Sequence, residues 1–218
     1  MDTNSKRGRN RGFSFVELLI IIAIIAIIAG LLLPALARGK SKSIQVQCMN
    51  NLRQVGIGFR LWSDDNNDMY PMRVPAEKGG AKEAVAKGDV FRVFQCMSNE
   101  LSTPKILVCP ADKRQMVVDF LSLKNANVSY FVGVDAEEAN PRIWLAGDRN
   151  LEINGMPASS GRMVSIDTAA TSIAWTPEIH QTSGSVSMGD GAVQIMTGAK
   201  LQSALQDTGT NRLRLAFP

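Results

Sequence analysis

The sequence predicts an α+β protein: one long N-terminal helix followed by an antiparallel β-sheet. Three observations point there. Residues Leu18–Leu33 hold no polar side chain, and apolar residues then recur at helical spacing as far as Trp62. Beyond residue 70, short β-rich runs alternate with Gly, Pro, Asn and Asp turns.

The chain begins with a basic leader, residues 1–12, in which Lys6, Arg7, Arg9 and Arg11 are offset only by Asp2. The leader therefore holds most of the formal +4 charge of the 218 residues. The remainder is close to neutral, which argues against a nucleic-acid-binding surface.

Residues 13–33 follow, with Glu17 as their only charge. At a rise of about 1.5 Å per residue they form roughly 30 Å of helix, the thickness of a bilayer core. A cleaved secretory signal has a shorter apolar region and a small-x-small site, which Leu33-Pro34-Ala35-Leu36 does not supply, so the run reads as a membrane span. Arg38, Lys40 and Lys42 follow closely, so the positive-inside bias is four against three for a cytoplasmic N-terminus. A carboxylate near the start of a lipid-facing helix is costly, so Glu17 needs a partner, or else an interfacial position where it favours the helix dipole. Pro34 lacks an N–H and crowds the carbonyl of Gly30, so a bend or local melting is expected there, or simply the end of the anchor.

Residues 34–66 continue as an amphipathic helix. Ile44, Cys48, Leu52, Val55, Phe59 and Trp62 make one apolar stripe, with Lys40, Arg53 and Arg60 opposite. A sheet packed across that stripe would bury it. Gly56 and Gly58 weaken the last turns by about 1 kcal/mol each relative to alanine. The helix should stop within Ser63–Asp68. There Asp64, Asn66 and Asp68 alternate as in a calcium loop, but Met69 replaces the required glycine and Pro75 the closing glutamate. That excludes an EF-hand; a looser calcium site and a solvated turn stay open, and no other cofactor is expected.

Residues 67–218 form the body. Residues 75–90 read as a short helix or surface excursion. Phe91–Met97, Lys105–Val108, Val128–Val134, Ile143–Ala146 and Ser172–Thr176 read as strands. Ser185–Met188 and Ala192–Met196 form a hairpin about Gly189-Asp190-Gly191, Lys200–Gln206 a short helix, and Leu213–Phe217 a last strand. His180, the single histidine, precedes Asp190 by a nine-residue interval, and the two side chains could meet across this hairpin. One histidine and one carboxylate make a poor transition-metal site, and no nucleophile accompanies them at recognisable spacing. A structural bond or a turn constraint is therefore preferred to acid–base chemistry. Three cysteines, Cys48, Cys96 and Cys109, show no zinc spacing. Phosphate-cradling glycine loops and Gly-x-Ser-x-Gly elbows are absent, so no enzymatic activity is expected.

The junction Arg11-Gly12-Phe13-Ser14-Phe15-Val16-Glu17-Leu18-Leu19 resembles the processing site of type IV prepilins and type II secretion pseudopilins. Those chains have a basic leader ending in Gly, then Phe, then a Glu four residues on, then an apolar helix. The resemblance implies a pilin-like fold and a prepilin peptidase that cuts between Gly12 and Phe13 and methylates the Phe13 amine. It implies a single-pass protein of the bacterial inner membrane with its body in the periplasm. It also implies assembly with like or related subunits on an inner-membrane platform, where Glu17 pairs with a neighbour's Phe13 amine. Similar pilin helices carry a proline where Pro34 stands.

Three further segments resemble a bacterial subgroup of these proteins. They are Asn50-Asn51-Leu52-Arg53-Gln54 with the Asp-rich turn and Tyr70-Pro71, the Cys-Pro-x-Asp element Cys109-Pro110-Ala111-Asp112, and His180 with Asp190-Gly191 as a His-x9-Asp-Gly motif. Within that resemblance Cys48 and Cys109 either form a disulfide, worth about 2–4 kcal/mol, or remain two buried thiols. The resemblance implies a structural subunit of a type II secretion pseudopilus or pilus-like filament. The alternatives are a signal-anchored periplasmic domain binding carbohydrate or another surface ligand, or an anchored hydrolase using His180 and Asp190. For the first, Trp62, Trp144, Trp175, Tyr70 and Tyr130 could supply stacking surfaces, although core positions explain most of them better.

Overall fold

A computed structural model describes residues 14–218, with the backbone alone at positions 35 and 37. The chain divides into two units, Met1–Lys42 and Ser43–Pro218.

The described part of the first unit is helix. Helix α1 runs Phe15–Asp64, and its segment in this unit is long and apolar enough to cross a membrane. Its large apolar side chains from Phe15 to Leu36 are exposed, as a lipid- or protein-covered helix requires when seen alone. The helix continues through Pro34, so the melting expected there does not occur. Proline removes a single i→i−4 hydrogen bond, and the turns on either side remain helical.

The second unit starts with α1 residues 43–64, so this stretch of helix is built into the body, whose start the sequence reading placed at residue 67. Cys48, Leu52, Val55 and Phe59 are fully buried along one face. Each buried Leu or Phe contributes about 1.5–3 kcal/mol relative to exposure, which outweighs the intrinsic cost of Gly56 and Gly58. Those two glycines have a packing reason: a Cβ at Gly56 would lie 3.1 Å from Ser187 Oγ, and one at Gly58 2.6 Å from Leu101 Cδ2. The helix ends where Asn66 donates its side-chain amide to the Trp62 carbonyl at 2.8 Å and Asn67 and Asp68 take left-handed backbone.

Short helices follow: α2 Lys82–Ala86, α3 Phe91–Cys96 and α4 Ser98–Leu101, then a 3-10 turn at Pro104–Leu107. The strands expected at Phe91–Met97 and Lys105–Val108 are thus helical. Val90, Val93, Phe94 and Met97 are all buried, and their three-, one- and three-residue steps belong to a helix face. At the second segment Pro104 presets a turn that the Thr103 hydroxyl caps at Lys105 N.

The β-strands are β1 Tyr130–Gly133, β2 Trp144–Asp148, β3 Leu151–Ile153, β4 Met156–Pro157, β5 Arg162–Asp167, β6 Ile173–Trp175, β7 Ser183–Met188, β8 Val193–Thr197 and, after helix α5 (Gly198–Gln206), β9 Arg212–Phe217. Six form an antiparallel sheet ordered β5-β9-β1-β2-β7-β8, and β4-β3-β6 form a second antiparallel sheet. The fold is α+β. Its core joins the α1 stripe to Phe94, Phe131, Trp144 and Phe217, with the Phe59 ring edge-on to Tyr70 and Phe94.

Candidate functional site

Gly12 and Phe13 lie outside the described residues. Glu17 stands in the first turn of α1, exposed, and Pro34 lies seventeen residues further along the same helix.

In the body, the side chains of interest gather where α1 meets the loop before β7. Cys48 on α1 is bridged to Cys109, with Cα atoms 5.0 Å apart and 61 residues between them in sequence number. Asn51, one turn further along α1, reaches the Val108 carbonyl beside the bridge at 3.4 Å. His180 closes the group: its Nε2 lies 3.1 Å from Cys109 Sγ. Burial holds the His180 pKa below its ordinary value, which favours neutral imidazole at pH 7. The backbone of His180 is left-handed, as is that of Gln181, and its carbonyl accepts from the Ser183 N–H and hydroxyl. Gln45 of α1 donates to that hydroxyl at 2.8 Å, and Asn150 fixes the preceding residues by donating to the carbonyls of Thr176 and Ile179.

A charge network supports this corner from behind. Arg149 donates two parallel hydrogen bonds of 2.9 Å to Asp112 and two more to Glu178. The Asp112 side chain is wholly buried and that of Arg149 is 14% exposed. Burial pushes the Asp112 pKa up, but the hydrogen bonds and charge of Arg149 prevail and hold it below the ordinary value. The Cys-Pro-x-Asp element is therefore anchored at both ends, by the bridge at Cys109 and by Arg149 at Asp112. Sequence reasoning missed Arg149 and Glu178. They stand in no motif, and only the fold brings residue 149 to residues 112 and 178.

Asp190 sits elsewhere. Its carboxylate accepts from Ala192 N at 2.9 Å within its own turn, and its carbonyl accepts from Arg60 of α1 at 3.4 Å. Gly191 has φ +80°, where a side chain is strained. Tyr70 donates its hydroxyl to the neighbouring Gly189 carbonyl at 2.8 Å. Among the described residues no hydrogen bond joins His180 to Asp190. The six residues of β7 separate them by roughly 17 Å of strand. The motif thus fastens β7 to α1 at two levels, His180 near Cys48 and Asp190-Gly191 at Arg60.

The aromatic residues that a carbohydrate-binding alternative would use are core, as the sequence reading prefers for most of them. Tyr70, Tyr130 and Trp144 are fully buried, and Trp62 and Trp175 are only 6% and 7% exposed. Their size and apolarity made them core. An open cleft of about 650 Å³ lies over Met72, Val134 and Ile143, and its Arg73–Glu137 and Arg214–Asp135 pairs neutralise one another. Asp148 on β2 is buried, accepts from Ser185 N at 2.7 Å, and has its pKa raised by burial to about 7. Asp64 ends α1, and Asn66 and Asp68 lie in the turn after it, where the Asn66 amide is engaged with Trp62. Among the described residues, one group of three His, Cys, Asp or Glu side chains has ligand atoms close enough for a metal ion: Cys48, Cys109 and His180, within 4.8 Å of one another.

Residues 7–33 match the family described as the prokaryotic N-terminal methylation motif. Over 82 residues, 38% of this chain, the sequence is 28% identical to the type II secretion system core protein G of Pectobacterium carotovorum subsp. carotovorum. The match covers 49% of that protein, so the chain spans about half the length of the curated relative it matches. No solved structure matches the chain.

Proposed function

From a chain that carries the prokaryotic N-terminal methylation motif and is similar to a type II secretion core protein, we propose a structural subunit of a pseudopilus or pilus-like filament. Prepilin peptidase cuts between Gly12 and Phe13 and methylates the new amine. Helix α1 then holds the subunit in the inner membrane in a single pass, with the leader cytoplasmic and the body periplasmic, until it joins like or related subunits on an assembly platform.

The observation that carries this reading is the place of Glu17. The matched motif spans it, and it stands in the first turn of a helix whose large apolar side chains from Phe15 to Leu36 are open to a covering partner. A carboxylate at the bilayer centre costs about 2.5–3.5 kcal/mol, less near the interface. The methylated Phe13 amine of a neighbouring subunit offsets that cost and sets the register between subunits. In the body, the double fastening of β7 to α1 supports a role in which the helix carries the sheet into a polymer.

Mass spectrometry of membrane-extracted protein from cells with an active prepilin peptidase tests the cut: the mature chain should begin at N-methylated Phe13. A chain that retains Met1 would overturn the reading. Glu17→Ala protein should still be processed and should lose cross-linking between subunits.

A further inference from the structure

The filament role makes no use of the cluster at Cys48, Cys109 and His180, which three separate segments of the chain supply. Cys48 is part of the buried α1 stripe. Cys109 belongs to a loop held through Asp112 by Arg149, and His180 to a loop held by Asn150 and, through Glu178, by the same arginine. None of these restraints depends on the sulfur–sulfur bond, so the three side chains stay together when it opens.

The geometry points to a second state of this corner: with the bridge reduced, Cys48, Cys109 and His180 form a site for a thiophilic d10 ion, Zn2+ or Cu+. Zinc takes thiolate at about 2.3 Å and imidazole at about 2.0–2.1 Å, which sets two sulfurs about 3.8 Å apart and sulfur and nitrogen about 3.5 Å apart. His180 Nε2 is already 3.1 Å from Cys109 Sγ, so it need retreat by only about 0.4 Å to meet that zinc geometry. The two sulfurs separate by rotation about their own side-chain bonds, on Cα atoms 5.0 Å apart. Two thiolates and one imidazole select soft or borderline ions and disfavour calcium and magnesium. For zinc, water completes the tetrahedron on the partly exposed His180 side; copper(I) accepts the three ligands alone.

The chemistry balances. A dithiol reductant gives two electrons and two protons to the bridge and closes its own disulfide, leaving two thiols. The entering ion displaces both thiol protons to solvent and takes the lone pair of neutral His180 at Nε2. Bridge and ion are mutually exclusive, so the ion protects the thiols from oxidation until it leaves.

The test uses the full chain in detergent micelles, reduced with a phosphine under argon and titrated with Co2+ as a spectroscopic stand-in for Zn2+. The expected result is a thiolate-to-cobalt charge-transfer band with tetrahedral visible bands, saturating at one ion per chain and bleached by Zn2+. A bathocuproine competition reads Cu+ in parallel. Cys48→Ser and Cys109→Ser should abolish the band, Cys96→Ser should leave it intact, and the oxidised chain should show none. His180→Ala should weaken binding at least about 100-fold, the upper end of the cost of losing even an outer-shell partner. No band or copper binding in reduced, folded protein overturns the proposal, as does ion affinity unchanged by His180→Ala. Near-ultraviolet circular dichroism reports the fold throughout. Should reduction erase that signal, the ion must restore it, and failure to do so also overturns the site.

Discussion

Arg149 holds Asp112 through two parallel hydrogen bonds of 2.9 Å, with the carboxylate wholly buried. A buried pair of this kind is worth little against an apolar replacement of both members, but removing one member strands the other. Arg149→Met should therefore destabilise the body by about 3–5 kcal/mol, and Asp112→Asn added to it should recover part of the loss. Denaturant unfolding of the solubilised chain at pH 7 measures both. The Asp112 pKa is lower in the folded state, so its contribution is complete above the unfolded carboxylate value. It should fade as pH falls through the folded value.

Asp148 has the opposite sign. Burial raises its folded pKa to about 7, so the folded state binds a proton that the unfolded state releases near pH 4. Stability from this group is complete below the unfolded value, declines as pH rises from about 4 to about 7, and is flat above that. Asp148→Asn retains an acceptor for Ser185 N and should remove the decline, raising stability at pH 8 by up to about 4 kcal/mol. The difference between variant and wild type across pH 4–8 is the quantity to measure, because Asp112 works in the other direction. A variant that tracks the wild type in parallel would show that Asp148 is ionised throughout.

The Cys48–Cys109 bridge spans 61 residues. Chain entropy alone assigns a loop of that length about 4 kcal/mol. Cys48→Ala/Cys109→Ala protein should lose about 2–4 kcal/mol of stability, the range lying at or below that figure because denatured chains retain some order. Thermal unfolding under non-reducing conditions provides the comparison.

Gly191→Ala should cost about 1–2 kcal/mol, because its φ of +80° is left-handed and the new Cβ would lie 3.3 Å from Arg60 Cδ. Asp190→Ala, which removes the bond to Ala192 N, should cost about 1 kcal/mol. Hydrogen exchange at Met188 and Ala192 would locate both effects in the turn.

Much of this architecture is legible in the sequence because it rests on period. The α1 stripe from Cys48 to Trp62 and the β7–β8 hairpin about Gly189-Asp190-Gly191 can be read without structure. Phe91–Met97 misleads because five apolar residues among seven fit strand and helix alike, and only the joint burial of Val90, Val93, Phe94 and Met97 decides between them. Strand β5 has one fully buried side chain, Ile166, and its apolar–polar alternation is confined to residues 164–167, a short run to read. The His-x9-Asp-Gly spacing is visible but its meaning is not. Equal spacing fits two residues that touch as well as two at opposite ends of one strand, and the partners that matter, Cys109 and Arg60, lie 71 and 130 residues away.

The two-level fastening of β7 to α1 also has a mechanical side. Cys48 and Arg60 are twelve residues apart on the helix, about 18 Å at its usual rise. A pull applied along the helix loads the attached strand in shear over that length instead of peeling it from one end. Tension along the helix from its N-terminal side meets the covalent link from Cys48 to the Cys109 loop before it reaches the weaker polar contact between Arg60 and Asp190. Along the helix the load would pass from the Gln45–Ser183 hydrogen bond to the Cys48–Cys109 bridge, which is the only covalent one of these ties.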